Sequence, residues 1–257
     1  MNIETLIQQV RDNLQFLLVC VLVVAAIVAA AKIAEKTILK DTVIRISRTK
    51  YITVCGMLGA LAAILHIFDF PLLFLAPEFY KLDFGELPAM IGGFFLGPVG
   101  AVIIELAKIL LKLVIKGTST AFVGDFANFV IGCTLLVPAS IVYHLKKTKT
   151  NAAAGLAVGT VVMAVFGTAF NAVYLLPAFS ALYGMPLDAI IGMGTAINGN
   201  VNSVFTFVVF TVFPLNLIKG ALVSVLTMLL YKRISLFLHN LAADGMSRRT
   251  VRRAQRP

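Results

Sequence analysis

The feature that most constrains this chain is a series of seven apolar segments, most of them long enough to cross a lipid bilayer. Of its 257 residues, 60% are apolar and only 13% are charged, and the mean hydropathy is +0.95. A helix needs about 20 apolar residues to cross the hydrocarbon core. The sequence therefore predicts an all-α membrane protein. The predicted segments are residues 13–34, 49–68, 84–97, 99–116, 122–143, 153–176 and 203–231.

Basic residues are concentrated beside the ends of these segments. The net charge is +10, and the basic clusters lie at residues 32–50, 144–149 and 232–256. Segments rich in Lys and Arg that flank membrane spans stay on the cytoplasmic side. With seven crossings, this rule predicts an external N-terminus, a cytoplasmic C-terminus and external connections at 67–83 and 177–202. The distribution indicates a lipid bilayer as the surroundings of these charges and argues against nucleic acid as a partner.

Several classes of chemistry have no motif in this sequence. Cys20, Cys55 and Cys133 lie within apolar segments without CxxC spacing, and the three histidines are dispersed. The sequence contains no metal-ligand pattern, no Cys/His pair suited to catalysis and no phosphate-binding glycine loop. We therefore expect no enzyme activity, no metal site and no ATPase motif, so that any ATP-driven work requires a partner protein.

The last apolar segment contains an amide and an ammonium group three residues apart, at Asn216 and Lys219. Residues at i and i+3 share one helix face, and no acidic residue lies near them in this segment. A charged residue within a bilayer costs roughly 2.5–3.5 kcal/mol on insertion scales, which favours a functional site facing the protein interior. The alternative is that Pro214 starts the helix near the external surface, so that Lys219 extends to the lipid headgroups.

The fourth segment carries three lysines on one stripe, Lys108, Lys112 and Lys116, with Glu105 one turn before the first. We expect Glu105 to pair with Lys108 inside the bundle and Lys116 to reach the outer surface. Whether Lys112 contacts a ligand stays open, and the stripe would also suit a phosphate group.

The connections predicted to be external differ from ordinary solvated linkers. The connection at 67–83 is too aromatic to be solvated, and we expect it to close over a site as a lid. Residues 117–121 form a short polar turn, and 177–202 has the composition of a long loop rich in Gly and Pro. Loops longer than about 12–15 residues in a compact domain are usually functional. The three connections together predict a site that is open to the outside.

The second segment has two faces of small residues, one formed by Gly56 and Ala60 and the other by Gly59 and Ala63. Small residues four positions apart let a neighbouring helix approach closely in a membrane. Each face suits either packing within the bundle or docking of another membrane protein.

An ordered set of sequence blocks points to one protein family. The first block runs from Lys81 through Asp83, Glu86 and Pro88 to Gly100. The others are Lys108, Gly117-Thr-Ser-Thr, Gly124-Asp125-Phe-Ala-Asn128-Phe, Phe170-Asn171-Ala-Val-Tyr174, Leu176-Pro177, Gly184-Met-Pro186 and Phe213-Pro-Leu-Asn216-Leu-Ile-Lys219-Gly220. Over roughly residues 48–238, this set resembles the substrate-binding S components of energy-coupling factor (ECF) vitamin importers, and within them the riboflavin-specific branch.

The resemblance implies a six-helix bundle with its vitamin near the external side, plus one additional N-terminal transmembrane helix in this chain. It divides the chain into that helix and a basic cytoplasmic linker at 1–47, a substrate-binding membrane domain at 48–238 and a basic cytoplasmic tail at 239–257. It further implies a high-affinity binding subunit of an ATP-driven importer in a prokaryotic plasma membrane. Its partners would be an ECF transmembrane coupling subunit and a pair of ABC-type ATPases.

The resemblance also implies riboflavin as the transported substrate, with no cofactor. Its isoalloxazine ring requires an apolar slot and amide groups that match its hydrogen-bonding edge. The candidate substrate-binding residues are Asn171, Asn216, Lys219, Phe74, Phe79, Tyr80, Asp83 and Asn128. The family docks its coupling subunit through a small-residue face, for which Gly56 and Ala60 are the match and Gly59 and Ala63 the alternative.

Other interpretations stay open at this point. FMN or another flat vitamin would fit a related pocket. A self-sufficient secondary transporter calls for inverted repeats and paired broken helices, and the sequence shows neither. An intramembrane enzyme would rely on the carboxylates of Glu86, Glu105 and Asp125, but no nucleophile or metal pattern accompanies them.

Overall fold

The computed structural model describes residues 14–40, 42–43 and 46–230, which are predominantly helical. The predicted tail at 239–257 lies outside the described residues. The helices are α1 (Leu14–Ala34, followed by a π-helical turn at Glu35–Leu39), α2 (Arg48–Ile67), α3 (Glu86–Leu96), α4 (Pro98–Ile115), α5 (Val123–Leu145), α6 (Lys149–Tyr183), α7 (Leu187–Ile197) and α8 (Val204–Leu230). Two short antiparallel strands, β1 (Phe70–Pro71) and β2 (Lys81–Leu82), lie between α2 and α3.

Five of the described helices are long and apolar enough to cross a membrane, which confirms an all-α membrane protein. They are α2, α5, α6, α8 and the N-terminal helix over Leu18–Leu39. The short predicted third segment, α3, has 11 residues and is about 16 Å long, roughly half the thickness of the hydrocarbon core. It forms a hairpin with α4, because Gly97 takes a φ of +90° and Pro98 begins the next helix, where its missing N–H is not needed.

Residues 177–202, which were predicted to form a long loop, are mostly helical. α6 runs past the predicted end at 176 as far as Tyr183, and α7 follows almost at once. Pro177 does not end α6 because a π-helical turn at Asn171–Leu175 precedes it. The proline therefore sits in the first turn of the next α-helical stretch, where it is tolerated. Gly184, at a φ of +61°, ends the helix.

The additional N-terminal helix packs against the bundle. Ala31 of α1 is fully buried in an apolar cluster with Val102 of α4 and Phe129 of α5. The carboxylate of Glu35 accepts a hydrogen bond of 2.9 Å from the backbone N–H of Val99, in the first turn of α4. A negative charge is favourable at a helix N-terminus, so this contact fixes the N-terminal segment to the α3–α4 turn.

The two small-residue faces of α2 have different surroundings. Gly59 and Ala63 are buried, and a Cβ atom at Gly59 would lie 2.8 Å from the Cβ of Ala107 on α4. Gly56 and Ala60 are exposed, and a Cβ atom at Gly56 would meet nothing within 4 Å. The Gly59/Ala63 face therefore packs within the bundle, and the alternative that it docks a partner is wrong.

This difference predicts the stability of two leucine variants on the same helix. Gly59→Leu should destabilise the protein by about 1–3 kcal/mol, because the new side chain overpacks the contact with α4. Gly56→Leu is the matched control and should leave the melting temperature in detergent nearly unchanged. Equal melting temperatures for the two variants would contradict the close packing at Gly59.

Candidate functional site

A cavity of about 250 Å³ lies between the segment that joins α2 to α3 and helices α4, α5, α6 and α8. Part of its wall is apolar and aromatic, formed by Phe79, Tyr80, Leu175, Phe179, Tyr183 and Leu215. Another part is polar and includes Asp83, Glu86, Lys112, Asp125, Asn216 and Lys219. Ligand sites commonly have volumes of about 300–1,000 Å³ and combine an apolar lining with a few polar groups. The cavity is close to the lower end of that range and has this composition.

The segment between α2 and α3, residues 68–85, forms one side of the cavity and is called the lid segment below, after the predicted lid at 67–83. Its two strands pair Phe70 with Leu82, and the ring of Phe79 packs edge-on against Phe179 of α6 with centroids 5.6 Å apart. Phe74 is 76% exposed and does not line the cavity. The structure therefore places Phe74 away from the cavity, because a tight turn at residues 72–76 leaves its ring on the outer surface.

Asn171 connects this segment to α6. Its side-chain oxygen accepts a hydrogen bond of 2.6 Å from the Tyr80 hydroxyl, and its amide nitrogen donates one of 2.7 Å to the backbone carbonyl of Gly167. Both Asn171 and Tyr80 are buried and line the cavity. The amide thus has structural partners already, and one N–H and one lone pair are left for another group.

Lys219 of α8 is held by two carboxylates that are distant in sequence. Its ammonium nitrogen lies 2.8 Å from Asp83 Oδ2 and 2.8 Å from Glu86 Oε1. Only 8% of Lys219 is exposed, so the interpretation that it extends to the lipid headgroups is wrong. The acids that neutralise Lys219 are therefore not on its own helix: Asp83 belongs to the lid segment and Glu86 to the first turn of α3.

Lys108 of α4 continues the same network of buried charges. Its nitrogen lies 2.6 Å from Glu105 Oε1 and 3.0 Å from Glu86 Oε1, and it donates a hydrogen bond of 2.8 Å to Asn128 Oδ1. The predicted pairing of Glu105 with Lys108 is confirmed. Burying a charge is tolerated when it is paired and hydrogen-bonded, and removing one member of a buried pair costs about 3–5 kcal/mol. The network therefore ties together α3, α4, α5 and α8.

Asp83 occupies the lid end of this network. Its Oδ1 lies 3.1 Å from His66 Nδ1 and accepts a hydrogen bond of 2.8 Å from the backbone N–H of Gly85. Burial raises the pKa of Asp83, but the Lys219 ammonium and His66 outweigh burial and hold that pKa well below its usual range. Asp83 is therefore a carboxylate that anchors the start of α3.

The Asn216 amide differs from these ion-paired groups. Asn216 is 8% exposed and lines the cavity, and its side chain makes no hydrogen bond to another described residue. It packs closely on α6, since a Cβ atom at Gly167 would lie 2.6 Å from its Nδ2. Because this amide lines the cavity and keeps its donors and acceptor unused, Asn216 has the capacity to donate to and accept from a ligand.

The other two lysines of the α4 stripe also pair with acids. Lys112 contacts Asp125 of α5. Lys116 lies 2.8 Å from Asp69 with 40% of its side chain exposed, as expected for a lysine at the outer surface.

Seven of the eight candidate substrate-binding residues line this one cavity, and the exception is Phe74. The seven are Phe79, Tyr80, Asp83, Asn128, Asn171, Asn216 and Lys219. Sequence reasoning missed Asp125, Phe179 and Tyr183 as wall residues. Asp125 had a detectable signal, a carboxylate near the start of an apolar helix, whereas the two aromatic residues lie in the stretch that was read as a loop.

Comparison with known proteins relates this fold to one protein family. Residues 50–231 match the family described as ECF transporter, substrate-specific component. Riboflavin transporter RibU of Staphylococcus aureus (strain TCH60) is 31% identical over 195 residues, which cover 76% of this chain and 95% of the relative. Riboflavin transporter FmnP of Bacillus subtilis (strain 168) is 30% identical over 192 residues, covering 73% and 93% of the two chains.

A solved structure agrees with the sequence relatives. The S component of a bacterial ECF transporter superposes with a TM-score of 0.59 at 31% identity, covering 75% of this chain and 99% of the solved chain. The family match begins after α1, so the additional N-terminal helix lies outside it, whereas every cavity residue lies inside it. By this match and by its relatives over nearly their full length, the chain belongs to the substrate-specific components of ECF transporters.

Proposed function

We propose that this protein is the riboflavin-binding S component of an ECF importer. The observation that carries the proposal is the Asn216 amide, which makes no hydrogen bond to another described residue and lies in the wall of a cavity that combines aromatic side chains with paired charges. Relatives that carry the name riboflavin transporter, at 30–31% identity over nearly their full length, support this choice of vitamin.

The chemistry of the cavity matches a flat heterocycle with one hydrogen-bonding edge. The rings of Phe79, Phe179 and Tyr183 supply aromatic surface for the isoalloxazine ring. Asn216, with the remaining capacity of Asn171, supplies both donors and acceptors for the ring edge. In this proposal Lys219, Asp83 and Asn128 hold the wall in place, and Lys219 keeps one N–H for the ligand.

The charge of the cavity wall favours riboflavin over its phosphate ester. Among the described residues, four carboxylates and three ammonium groups line the cavity. Each of these lysines is within 4 Å of a carboxylate: Lys81 with Asp69, Lys112 with Asp125, and Lys219 with Asp83 and Glu86. A phosphate adds about 1.5–2 negative charges at pH 7, and no cation of the wall is left to neutralise it.

Transport requires partners in this proposal. The protein would dock on the ECF transmembrane coupling subunit, which a pair of ABC-type ATPases drives. The exposed face of Gly56 and Ala60 suits close approach of a partner helix, and Gly56 lies about 15 Å along α2 from the cavity residue His66. The distribution of basic residues supports an external N-terminus and a cytoplasmic C-terminus in a prokaryotic plasma membrane. We keep the proposed division of the chain into an N-terminal helix with its linker (1–47), a substrate-binding membrane domain (48–238) and a tail (239–257).

The binding site is tested by two alanine variants on α8. Asn216→Ala should weaken riboflavin binding by about five- to 150-fold with little change in melting temperature, because it removes a ligand partner of about 1–3 kcal/mol. Lys219→Ala should also lower the melting temperature, because Asp83 and Glu86 lose a buried partner. Quenching of flavin fluorescence measures the affinity. Unchanged affinity in Asn216→Ala would contradict the site, and a colourless wild-type protein with no riboflavin binding would contradict the function.

The preference for an uncharged ligand is tested with the unmodified protein. Riboflavin should bind at least about tenfold more tightly than FMN, because the added phosphate enters a wall without a free cation. Competition for a bound flavin measures the ratio of the two affinities. Equal affinities would show that the wall accepts the phosphate and would contradict the charge argument.

The docking face is tested by separating uptake from binding. Gly56→Leu and Ala60→Leu should abolish riboflavin uptake by cells that contain the coupling subunit and ATPases, while riboflavin affinity stays within about twofold, since a leucine holds the partner helix away. Val165→Leu is the matched control, because Val165 lies on an exposed face of α6. Normal uptake by both α2 variants would contradict this docking face.

A further inference from the structure

The Lys112–Asp125 pair lies in the cavity wall but has no part in recognising the flavin ring as argued above. Lys112 comes from α4 and Asp125 from the first turn of α5, and both line the cavity. The side chains are 13% and 5% exposed, so the pair is buried within the site.

The pair keeps unused hydrogen-bonding capacity. Lys112 contacts Asp125 Oδ1, whereas Oδ2 is buried without a hydrogen-bond partner among the described residues. An ammonium group has three donors and a carboxylate oxygen accepts about two hydrogen bonds. The pair therefore offers donors and an acceptor side by side. An unsatisfied buried carboxylate oxygen is costly and requires an explanation.

The neighbouring turn at residues 117–122 adds hydroxyl groups and shows that the start of α5 is not free to bind an anion. Ser119 and Thr120 line the cavity. The N–H of Phe122 is taken by the Thr118 hydroxyl and the N–H of Gly124 by the Thr120 hydroxyl. Asp125 already places a negative charge in the first helical turn. The groups that remain suit a neutral ligand that both donates and accepts hydrogen bonds.

The backbone of this turn supports a binding role. Ala121 and Phe122 are consecutive non-glycine residues with φ of +44° and +70°. Left-handed conformations at such residues are unfavourable and cluster at ligand sites. Here they hold the turn beside the cavity and present Ser119 and Thr120 to it.

We propose that Lys112 and Asp125 form a subsite for the polyol chain of the flavin, bordered by Ser119 and Thr120. A hydroxyl group donates to Asp125 Oδ2 and another accepts from Lys112, which satisfies the orphaned oxygen. The aromatic wall comes from the lid segment and α6, and the polyol subsite from α4 and α5, so that the two parts of the ligand contact different elements. This inference rests on the proposed riboflavin function.

The test compares riboflavin with lumiflavin, which has the same ring system but no polyol chain. Asp125→Asn is isosteric and keeps an oxygen for Lys112 while it removes the carboxylate acceptor. It should weaken riboflavin binding by about five- to 150-fold and leave lumiflavin affinity within about twofold. The matched control Asn216→Ala should weaken both ligands by the same factor, because it contacts the ring.

The ratio of the two affinities is the decisive quantity, because a partly misfolded preparation lowers the bound fraction for both ligands without changing their relative affinity. An unchanged ratio in Asp125→Asn overturns the subsite. Lys112→Gln provides a second test and should lower the affinity for riboflavin relative to that for lumiflavin. If the wild-type protein binds neither flavin, the proposed function fails, whereas binding of both with an unchanged ratio in the variants defeats the subsite alone.

Discussion

The structure around the cavity depends on the neutralisation of two buried ammonium groups, those of Lys108 and Lys219. Three carboxylates surround them, from the lid segment, α3 and α4. Attraction between charges is strong where water is excluded, but the desolvation of each charge is costly, so such a network stabilises the fold only when it is complete. The ion pairs of Asp83, just before the short helix α3, and of Glu86, in its first turn, hold the start of α3 in the bundle although α3 crosses only half of a membrane.

Much of the site could be predicted from the sequence because membrane burial makes polar residues conspicuous. Asn216 and Lys219 stand out in an apolar helix, and both line the cavity. The partners of Lys219 could not be predicted from its surroundings in the chain, because Asp83 lies 136 positions away. For the same reason Lys219 has no compensating acid near it in the sequence, which suggested a direct ligand contact. In the structure its ammonium group pairs with Asp83 and Glu86. Phe74 could not be told from Phe79, since composition does not show which side a tight turn exposes.

The fold was predictable in class but not in its connections. Hydropathy identified the helical segments, yet it placed a loop where α6 continues and α7 follows, because a π-helical turn that accommodates Pro177 leaves no mark in hydropathy. The two small-residue faces of α2 were equivalent in sequence. The contact between Gly59 and Ala107 distinguishes them, and it depends on the placement of α4. The packing of α1 through Glu35 and Ala31 likewise could not be predicted from sequence patterns.

The separation between the ion-paired side chains and the unpaired Asn216 amide has a consequence for how such proteins diversify. The charges of Lys108 and Lys219 are paired within the protein, so their burial does not depend on a charged cargo. Recognition is left to a few wall positions such as Asn216, which contribute little to assembly. After gene duplication, a copy of this scaffold can therefore acquire a new cargo through substitutions at those positions, while the faces that hold its helices together stay as they are.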